Sequence, residues 1–290
     1  MATDSNYYVP EQSKLPLIMA LGLGLIAAGA ASWIGGGSAM VFLAGALVLA
    51  FTFYTWFSTV IRENMAGMNS EQLKRSYVWG MSWFIFSEVM FFAAFFGALF
   101  YVRFVSSSHL EASADLLWNG FEFAWPLMTT PDMAVAGEAA KFKGPEGIID
   151  PWHLPLINTI ILLTSSVTVH FAHTALKKDN RKGFNLWLAI TVLLGIVFLF
   201  FQVEEYVEAY TELGLTLESG IFGTTFFMLT GFHGAHVTLG TFMLLIQLLR
   251  GLKGHFTHDD AFGFEASSWY WHFVDVVWVG LFIFVYVLGS

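Results

Sequence analysis

Residues 84–100 read FIFSEVMFFAAFFGALF, and Glu88 is the only ionisable side chain in this run. A helix rises about 1.5 Å per residue, so about 20 apolar residues span the roughly 30 Å hydrocarbon layer of a membrane. The run lies inside a longer apolar stretch, and the chain contains several others of similar length. The sequence here therefore predicts a membrane-spanning helix that keeps one acidic group inside the hydrocarbon.

The composition of the whole chain indicates the same surroundings. Of its 290 residues, 56% are hydrophobic and only 12% are charged, as is typical of a protein that crosses the membrane several times. The absence of cysteine excludes disulfides, thiolate metal sites and cysteine nucleophiles. The formal charge of −9 gives no indication of a nucleic-acid partner. Residues 1–15 do not resemble a cleaved signal and are expected to form a short N-terminal tail.

The apolar stretches predict an all-α integral membrane protein with seven transmembrane helices. Between the third and fourth helices, residues 107–154 contain four prolines and scattered charges, and an exposed outer loop is expected there. No internal repeat is present, so an inverted-repeat transporter has no support. The seven predicted spans are residues 16–34, 39–61, 76–105, 155–176, 184–209, 219–249 and 265–289.

Lysine and arginine predict the orientation of the chain, because they concentrate on the cytoplasmic side of membrane proteins. With a cytoplasmic N-terminus, the outer side holds only Arg103, Lys141 and Lys143. The inner side then holds the other ten, which favours N-in and, with seven spans, C-out. These ten are Lys14, Arg62, Lys74, Arg75, Lys177, Lys178, Arg181, Lys182, Arg250 and Lys253.

Two acidic residues lie deep inside predicted spans. A charged group near the middle of a membrane costs about 2.5 to 3.5 kcal/mol, so Glu88 is expected to be neutral or paired. Either a structural hydrogen bond to a neighbouring helix or a role with protons or lipid fits this residue. Asp275 lies three residues after His272 on the same helix face, and a structural hydrogen bond between these two is predicted.

Histidines recur with a spacing of three, first as His170 and His173 and then as His233 and His236. Residues three apart share a helix face, so either pair could contribute to a metal site, although no third ligand is identified. Histidines that bond to a neighbouring helix are the favoured alternative. Small residues in membrane helices favour close helix contact. They occur beside the second pair as Gly231, Gly234 and Ala235 and in the first span as Gly24 and Ala28.

Six segments of the chain resemble cytochrome c oxidase subunit III, the third core subunit of the haem-copper terminal oxidases. They follow one another in order from about residue 50 to the end, so the resemblance covers nearly the whole chain. The segments are WFSTVIREN (56–64), GMSWFIFSEVMFF (80–92), PWHLPLINTIILLTSSVTVHFAHTAL (151–176), QVEEYVEA (202–209), GIFGTTFFMLTGFHGAHVTLGTFMLLIQLLRGLKGHFT (220–257) and FGFEASSWYWHFVDVVWVGLFIFVYVLGS (262–290).

The resemblance implies a fold of two bundles separated by a V-shaped, lipid-filled cleft. Residues 16–62 would form a two-helix bundle, and residues 63–290 a five-helix bundle with the outer loop 107–154. Glu88 matches a buried carboxylate of the family that reacts with carbodiimides. The residues expected to contact phospholipid, or to lie buried beside it, are Trp56, Arg62, Glu88, Arg250 and His255. A structural polar network is expected from His170, His173, Glu205, His233, His236, His272 and Asp275.

For function, the resemblance implies a non-redox subunit of an enzyme that oxidises cytochrome c, reduces oxygen to water and pumps protons in aerobic respiration. The chain itself would carry no catalytic residue, cofactor or metal, because haem and copper lie in subunits I and II. It would stabilise subunit I, support proton uptake and bind structural phospholipid. A bacterial inner membrane is expected, because the outer loop resembles bacterial rather than mitochondrial versions. A membrane di-metal oxygenase or desaturase and a proton-coupled transporter are the alternatives.

Overall fold

The structure, a computed structural model, describes residues 12–68, 70–257 and 261–289. The regular secondary structure of these residues is helical, and they contain no β-strand. Two helices continue into π-helical turns at Tyr101–Ser106 and Phe282–Val287, and a short 3-10 turn covers Gly137–Ala139. The α-helices are α1 (Leu15–Ile34), α2 (Met40–Met65), α3 (Glu71–Phe100), α4 (Ser107–Leu117), α5 (Pro131–Ala136), α6 (Leu154–Lys177), α7 (Arg181–Thr211), α8 (Gly220–Leu252) and α9 (Phe262–Leu281).

Seven helical stretches of the described chain are long and apolar enough to cross a membrane, which confirms the predicted number of spans. Several begin where local chemistry favours a helix start. A proline lies in the first turn of α1 and of α6, where its missing N–H is not needed. The side chain of Asn180 accepts a hydrogen bond from the backbone N–H of Gly183 and caps α7.

The third span is longer than predicted. The helix that begins at Glu71 continues through the π-helical turn into α4 and ends at Leu117, whereas the sequence prediction ended at residue 105. The apolar pattern stops there, but neither glycine nor proline occurs between Gly97 and Gly120, so nothing in the backbone ends the helix. The exposed loop expected from residue 107 is therefore helical in its first eleven residues.

The rest of the outer segment is folded against the bundle rather than freely exposed. Phe121, Leu127 and Ile149 are buried. The backbone N–H groups of Glu146 and Gly147 both donate to the carbonyl of Leu213, just after α7. These contacts tie the segment to the turn between α7 and α8, so the outer segment is anchored to the bundle although most of its residues are exposed or half-buried.

The chain divides into two compact units, residues 1–79 and 80–290. In the first unit, α1 packs on α2 through Gly22, Gly29 and Gly45, whose missing side chains leave room for the opposite helix. A side chain at Gly29 would overlap the backbone of Phe42. The prediction that Gly24 and Ala28 lie at a close helix contact is wrong, since both are exposed and nothing lies near Gly24.

The second unit is built around α9, in which twelve of the twenty residues are buried. Helix α9 packs against α6 and α8, and α7 packs against the same two helices. Gly234 faces the side-chain amide of Gln202 on α7, within 3.1 Å of where its Cβ would lie. The close contact predicted for Gly234 is thereby confirmed, and large aromatic side chains such as Trp271 and Trp278 fill the interior.

The two glycines of α1 give a matched test of this packing. Gly29→Val should destabilise the first unit by about 1 to 3 kcal/mol, because the added side chain meets the backbone of α2. Gly24→Val should be nearly neutral, because that position faces open space. The midpoint of thermal unfolding of the purified protein in mild detergent measures both. Equal midpoints for the two variants would contradict the packing described.

Candidate functional site

Glu88 on α3 is paired with a histidine of another helix. Its Oε2 lies 2.9 Å from Nε2 of His236 on α8, and its Oε1 lies 3.4 Å from the hydroxyl of Ser87. The side chains of Glu88 and His236 are 22% and 13% exposed. The pairing expected for an acid inside a span is therefore present.

The contact made by the other ring nitrogen of His236 determines where hydrogens can reside in the Glu88–His236 pair. Nδ1 of His236 lies 2.6 Å from the carbonyl oxygen of Phe232, and a carbonyl can only accept, so Nδ1 carries a hydrogen. The contact between Nε2 and Glu88 then needs one further hydrogen. With that hydrogen on oxygen both groups are neutral, and with it on nitrogen they form an ion pair. The pair has no net charge in either arrangement.

Aromatic rings surround the imidazole of His236. The ring centroids of Phe91, Phe92, Tyr270 and Phe273 lie between 4.9 and 6.3 Å from its own. These rings come from α3 and α9, so three helices meet at this point. The arrangement holds the imidazole in place and keeps its surroundings apolar, which strengthens its hydrogen bond to Glu88.

His233 does not join His236 in a common site. It is fully buried among the rings of Phe92, Phe198 and Trp278. Within the described residues, neither of its ring nitrogens has a hydrogen-bond partner. The spacing of three therefore places one histidine in the core and the other opposite Glu88.

Glu205 is a completely buried acid of the second unit, and its partner was not identified from the sequence. The hydroxyl of Tyr286 donates to Oε1 of Glu205 at 2.6 Å, and Glu205 is completely buried. The hydroxyl of the next residue, Tyr206, lies 2.7 Å from that of Thr230, and the amide of Gln202, about one turn before Glu205, donates to the carbonyl of Thr230. These contacts join α7 to α8 and to the turn that follows α9.

Four side-chain contacts form a ladder between α6 and α9. Partners nearer the N-terminus of α6 lie nearer the C-terminus of α9, as in antiparallel helices. The sequence analysis missed this ladder, for which serines and threonines about seven residues apart on α6 could have been the signal. The ladder consists of His173 with Glu265 (3.2 Å), Ser166 with His272 (2.8 Å), Ser165 with Trp271 (2.9 Å) and Thr159 with Trp278 (2.9 Å).

The predicted contact between His272 and Asp275 is present but long, and His272 has a second partner that lies closer. Nδ1 of His272 lies 3.5 Å from Oδ2 of Asp275 but only 2.8 Å from the hydroxyl of Ser166. The longer distance exceeds that of an ordinary hydrogen bond. Because serine and aspartate approach the same nitrogen, these three residues do not have the geometry of a catalytic triad, in which each contacts a different nitrogen.

The first histidine pair is divided as well. His170 is exposed on α6, and its ring lies 6.5 Å from that of Phe171, whereas His173 reaches Glu265. Among the residues that the structure describes, no three histidine or acidic side chains lie close enough together to hold a metal ion. The four histidines of the two HxxH motifs therefore lie in four different environments.

Two of the predicted lipid contacts lie on α2, in the first unit. Trp56 is 36% exposed. Arg62 is exposed in the last turn of the helix, where its guanidinium donates to the hydroxyl of Thr59 at 3.2 Å. Both side chains are therefore accessible to a lipid.

The other two lie at the end of α8 that precedes α9. The guanidinium of Arg250 lies 4.5 Å over the ring of Phe256 and donates to the side chain of Gln247 at 3.1 Å. Gly263 leaves room for it, since a Cβ there would lie 2.6 Å from Arg250. The backbone N–H of His255 donates to the carbonyl of Arg250. Arg250 is therefore held in a fixed position, and its charge lies where the chain leaves the predicted inner side of the membrane.

Comparison with known proteins agrees with these features over the full length of the chain. The sequence pattern of the family described as "Cytochrome c oxidase subunit III" matches residues 5–125 and 128–290. The protein named "Cytochrome c oxidase subunit 3" of Drosophila melanogaster is 39% identical over 295 residues and covers 100% of both chains. Proteins of the same name from Oryctolagus cuniculus and Dugong dugon are 38% and 39% identical, covering 98% of this chain and 97% of their own. The chain belongs to the cytochrome c oxidase subunit III family.

Proposed function

We propose that this chain is the non-redox third core subunit of a terminal oxidase that takes electrons from cytochrome c, reduces oxygen to water and pumps protons. The observation that carries the proposal is the family match across nearly every residue of the chain. In this assignment the chain binds subunits I and II and stabilises subunit I. The oxidoreductase activity belongs to the complex.

Haem and copper are assigned to the partner subunits rather than to this chain. The divergence of both HxxH motifs supports this, because each histidine faces a different environment. A di-metal oxygenase or desaturase would need these side chains to converge on shared ions. A proton-coupled transporter has no support from the family match.

The Glu88–His236 pair is proposed as the place where this subunit holds a proton inside the membrane. A lone carboxylate would be unfavourable at this depth, but the pair keeps one exchangeable hydrogen without net charge. Aromatic rings enclose the imidazole, while Glu88 retains some exposure to small molecules. This suits a role in supporting proton uptake by the complex.

Phospholipid is the proposed ligand of the basic and aromatic groups near the ends of the spans. Trp56 and Arg62 are the proposed lipid contacts of the first unit. Arg250 and His255 are those of the second. Interfacial arginine and tryptophan are suited to anionic head groups and to the membrane boundary. For Arg250, the stacking on Phe256 positions the charge in advance of lipid binding.

The membrane is proposed to be a bacterial inner membrane, with a cytoplasmic N-terminus and a periplasmic C-terminus. Support for the orientation comes from the distribution of lysine and arginine, ten on one side and three on the other. The bacterial membrane is carried over from the sequence expectation for the outer segment 107–154, whereas the relatives compared above come from animals.

Isolation of the complex tests the main assignment. When the chain is captured from its native membrane in mild detergent, haem and copper should co-purify with it. After this chain is stripped away, both should stay with the remaining subunits, as measured by visible spectra and metal analysis. A stripped chain that retains iron, or a chain that purifies without oxidase partners, would refute the proposal.

Carbodiimide labelling tests the proton at Glu88, because these reagents react with protonated carboxyl groups in apolar surroundings. The wild-type chain should be labelled at Glu88, and Glu88→Gln should reduce labelling to background in peptide mass spectra. Glu205→Gln is the matched control and should leave labelling unchanged, because Glu205 is completely buried and closed to the reagent. Equal labelling of the wild type and Glu88→Gln would remove the argument.

Arg250→Ala tests lipid binding in the second unit. Loss of the guanidinium should release phospholipid from the purified complex and speed its loss of activity during turnover, measured by phosphorus analysis and oxygen consumption. Arg250→Lys is the control, since it keeps a positive charge on a long side chain at this position, and it should retain most of the lipid. Unchanged lipid content in Arg250→Ala would instead make this residue an anchor within the protein.

A further inference from the structure

The exposed surfaces of two helices in the second unit differ in chemistry. Along the middle of α7, the exposed residues Leu193, Ile196, Phe200 and Val203 are all apolar. Such a surface suits the hydrocarbon chains of lipids. The exposed surface of α9 includes Trp269, His272 and Val276, which share one side of the helix. An imidazole therefore lies between two apolar side chains on this surface.

His272 lies deep in the membrane. It follows the start of α9 at Phe262 by ten residues, or about 15 Å along the helix, which is about half the thickness of the hydrocarbon layer. Its side chain is 43% exposed. A head group at the membrane surface does not reach this depth, and the hydrocarbon offers no water.

Only one nitrogen of this imidazole is used within the chain. Nδ1 contacts the hydroxyl of Ser166 and lies near Asp275. In the described part of the chain, Nε2 makes no hydrogen bond. A polar atom left without a partner in an apolar medium is unfavourable. The outward nitrogen therefore needs a partner from outside the described chain.

Further polar groups follow the same seam between α6 and α9. His170 is exposed on α6, one turn from Ser166. The pair of His173 and Glu265 is about one-third exposed, at 28% and 32%. The polar seam, defined as His170, His173, Glu265 and His272, has no counterpart between residues 186 and 203 of α7, where every exposed residue is apolar.

We propose that the polar seam is the surface on which a transmembrane helix of another oxidase subunit docks, with a polar side chain of that helix hydrogen-bonded to Nε2 of His272. The inference rests on the proposed function and adds to it the face of the chain that the partner contacts. A helix fits the depth, because its side chains are available throughout the hydrocarbon layer. It also fits the shape of the seam, which runs along two packed helices.

Photocrosslinking in the intact complex tests the face directly. A benzophenone amino acid is placed at Val276, one turn from His272, and in a control at Val203 on the apolar surface of α7. The two valines are similarly exposed, at 72% and 62%. Position 276 should crosslink to another oxidase subunit, and position 203 to lipid alone.

Substitution of His272 tests the hydrogen bond itself. Hydrogen bonds between membrane helices are modest, so His272→Leu should speed the loss of this chain from the complex by about three- to tenfold. His272→Gln should restore much of the retention, because its amide can still donate and accept. The rate of subunit loss on native gels after detergent exposure measures both, and Val203→Leu should have no effect.

The outcomes separate this inference from the proposed function. If the chain fails to co-purify with an oxidase, the function itself is wrong. If it co-purifies but position 276 crosslinks only to lipid, to residues 12–79 of its own chain or to a second copy, the docking face is wrong and the function stands. Unchanged retention of His272→Leu would likewise overturn the hydrogen bond.

Discussion

A polar side chain inside a bilayer has no water to bind, so its hydrogen bonds must come from another helix. The contacts of the second unit depend on this constraint. Lipid chains are as apolar as leucine, and apolar surface alone therefore gives membrane helices little reason to choose a neighbour. Directional contacts do so here: Glu88 joins α3 to α8, and Glu205 joins α7 to the turn after α9. Helix α9 lies at the centre and takes part in every contact of the ladder with α6. The aromatic rings then fill the space that these contacts define.

The seven spans could be predicted because length and hydropathy are local properties of the sequence. The end of the third span could not, because the apolar pattern stops before the helix does, and only a backbone breaker such as Gly120 comes later. The prediction of which small residues of α1 contact α2 was wrong for a different reason. Gly22 and Gly29 lie seven residues apart on one face of α1, whereas Gly24 and Ala28 lie on another. Composition shows that small residues are present, but only the packed structure shows which face meets the partner helix.

The sequence predicted one residue of the candidate site, Glu88, but not its partner. A single acid in an apolar run marked Glu88 as unusual, but its partner His236 lies 148 positions away, and the register between α3 and α8 decides that pairing. The HxxH motif suggested a shared face. Residues three apart nevertheless differ by about 60° around a helix, which is enough for His233 to face the core and His236 to face α3. The same separation divides His170 from His173. A motif defined by spacing therefore predicts a metal site only when the neighbouring helices bring further ligands to it.

Glu88 and Glu205 have hydrogen-bond partners of opposite chemical character, and this separates their roles. The imidazole of His236 can accept the hydrogen of Glu88, so that hydrogen can reside on either group while the net charge stays at zero. The hydroxyl of Tyr286 donates to Glu205 and gives it no comparable base. Ionisation of Glu205 would then leave an uncompensated charge in a completely buried position, at a high cost in free energy. Glu205 is therefore suited to fixing the packing of α7 against the C-terminal end of the chain. Glu88, which has a base beside it and partial exposure, is suited to exchanging a proton with its surroundings.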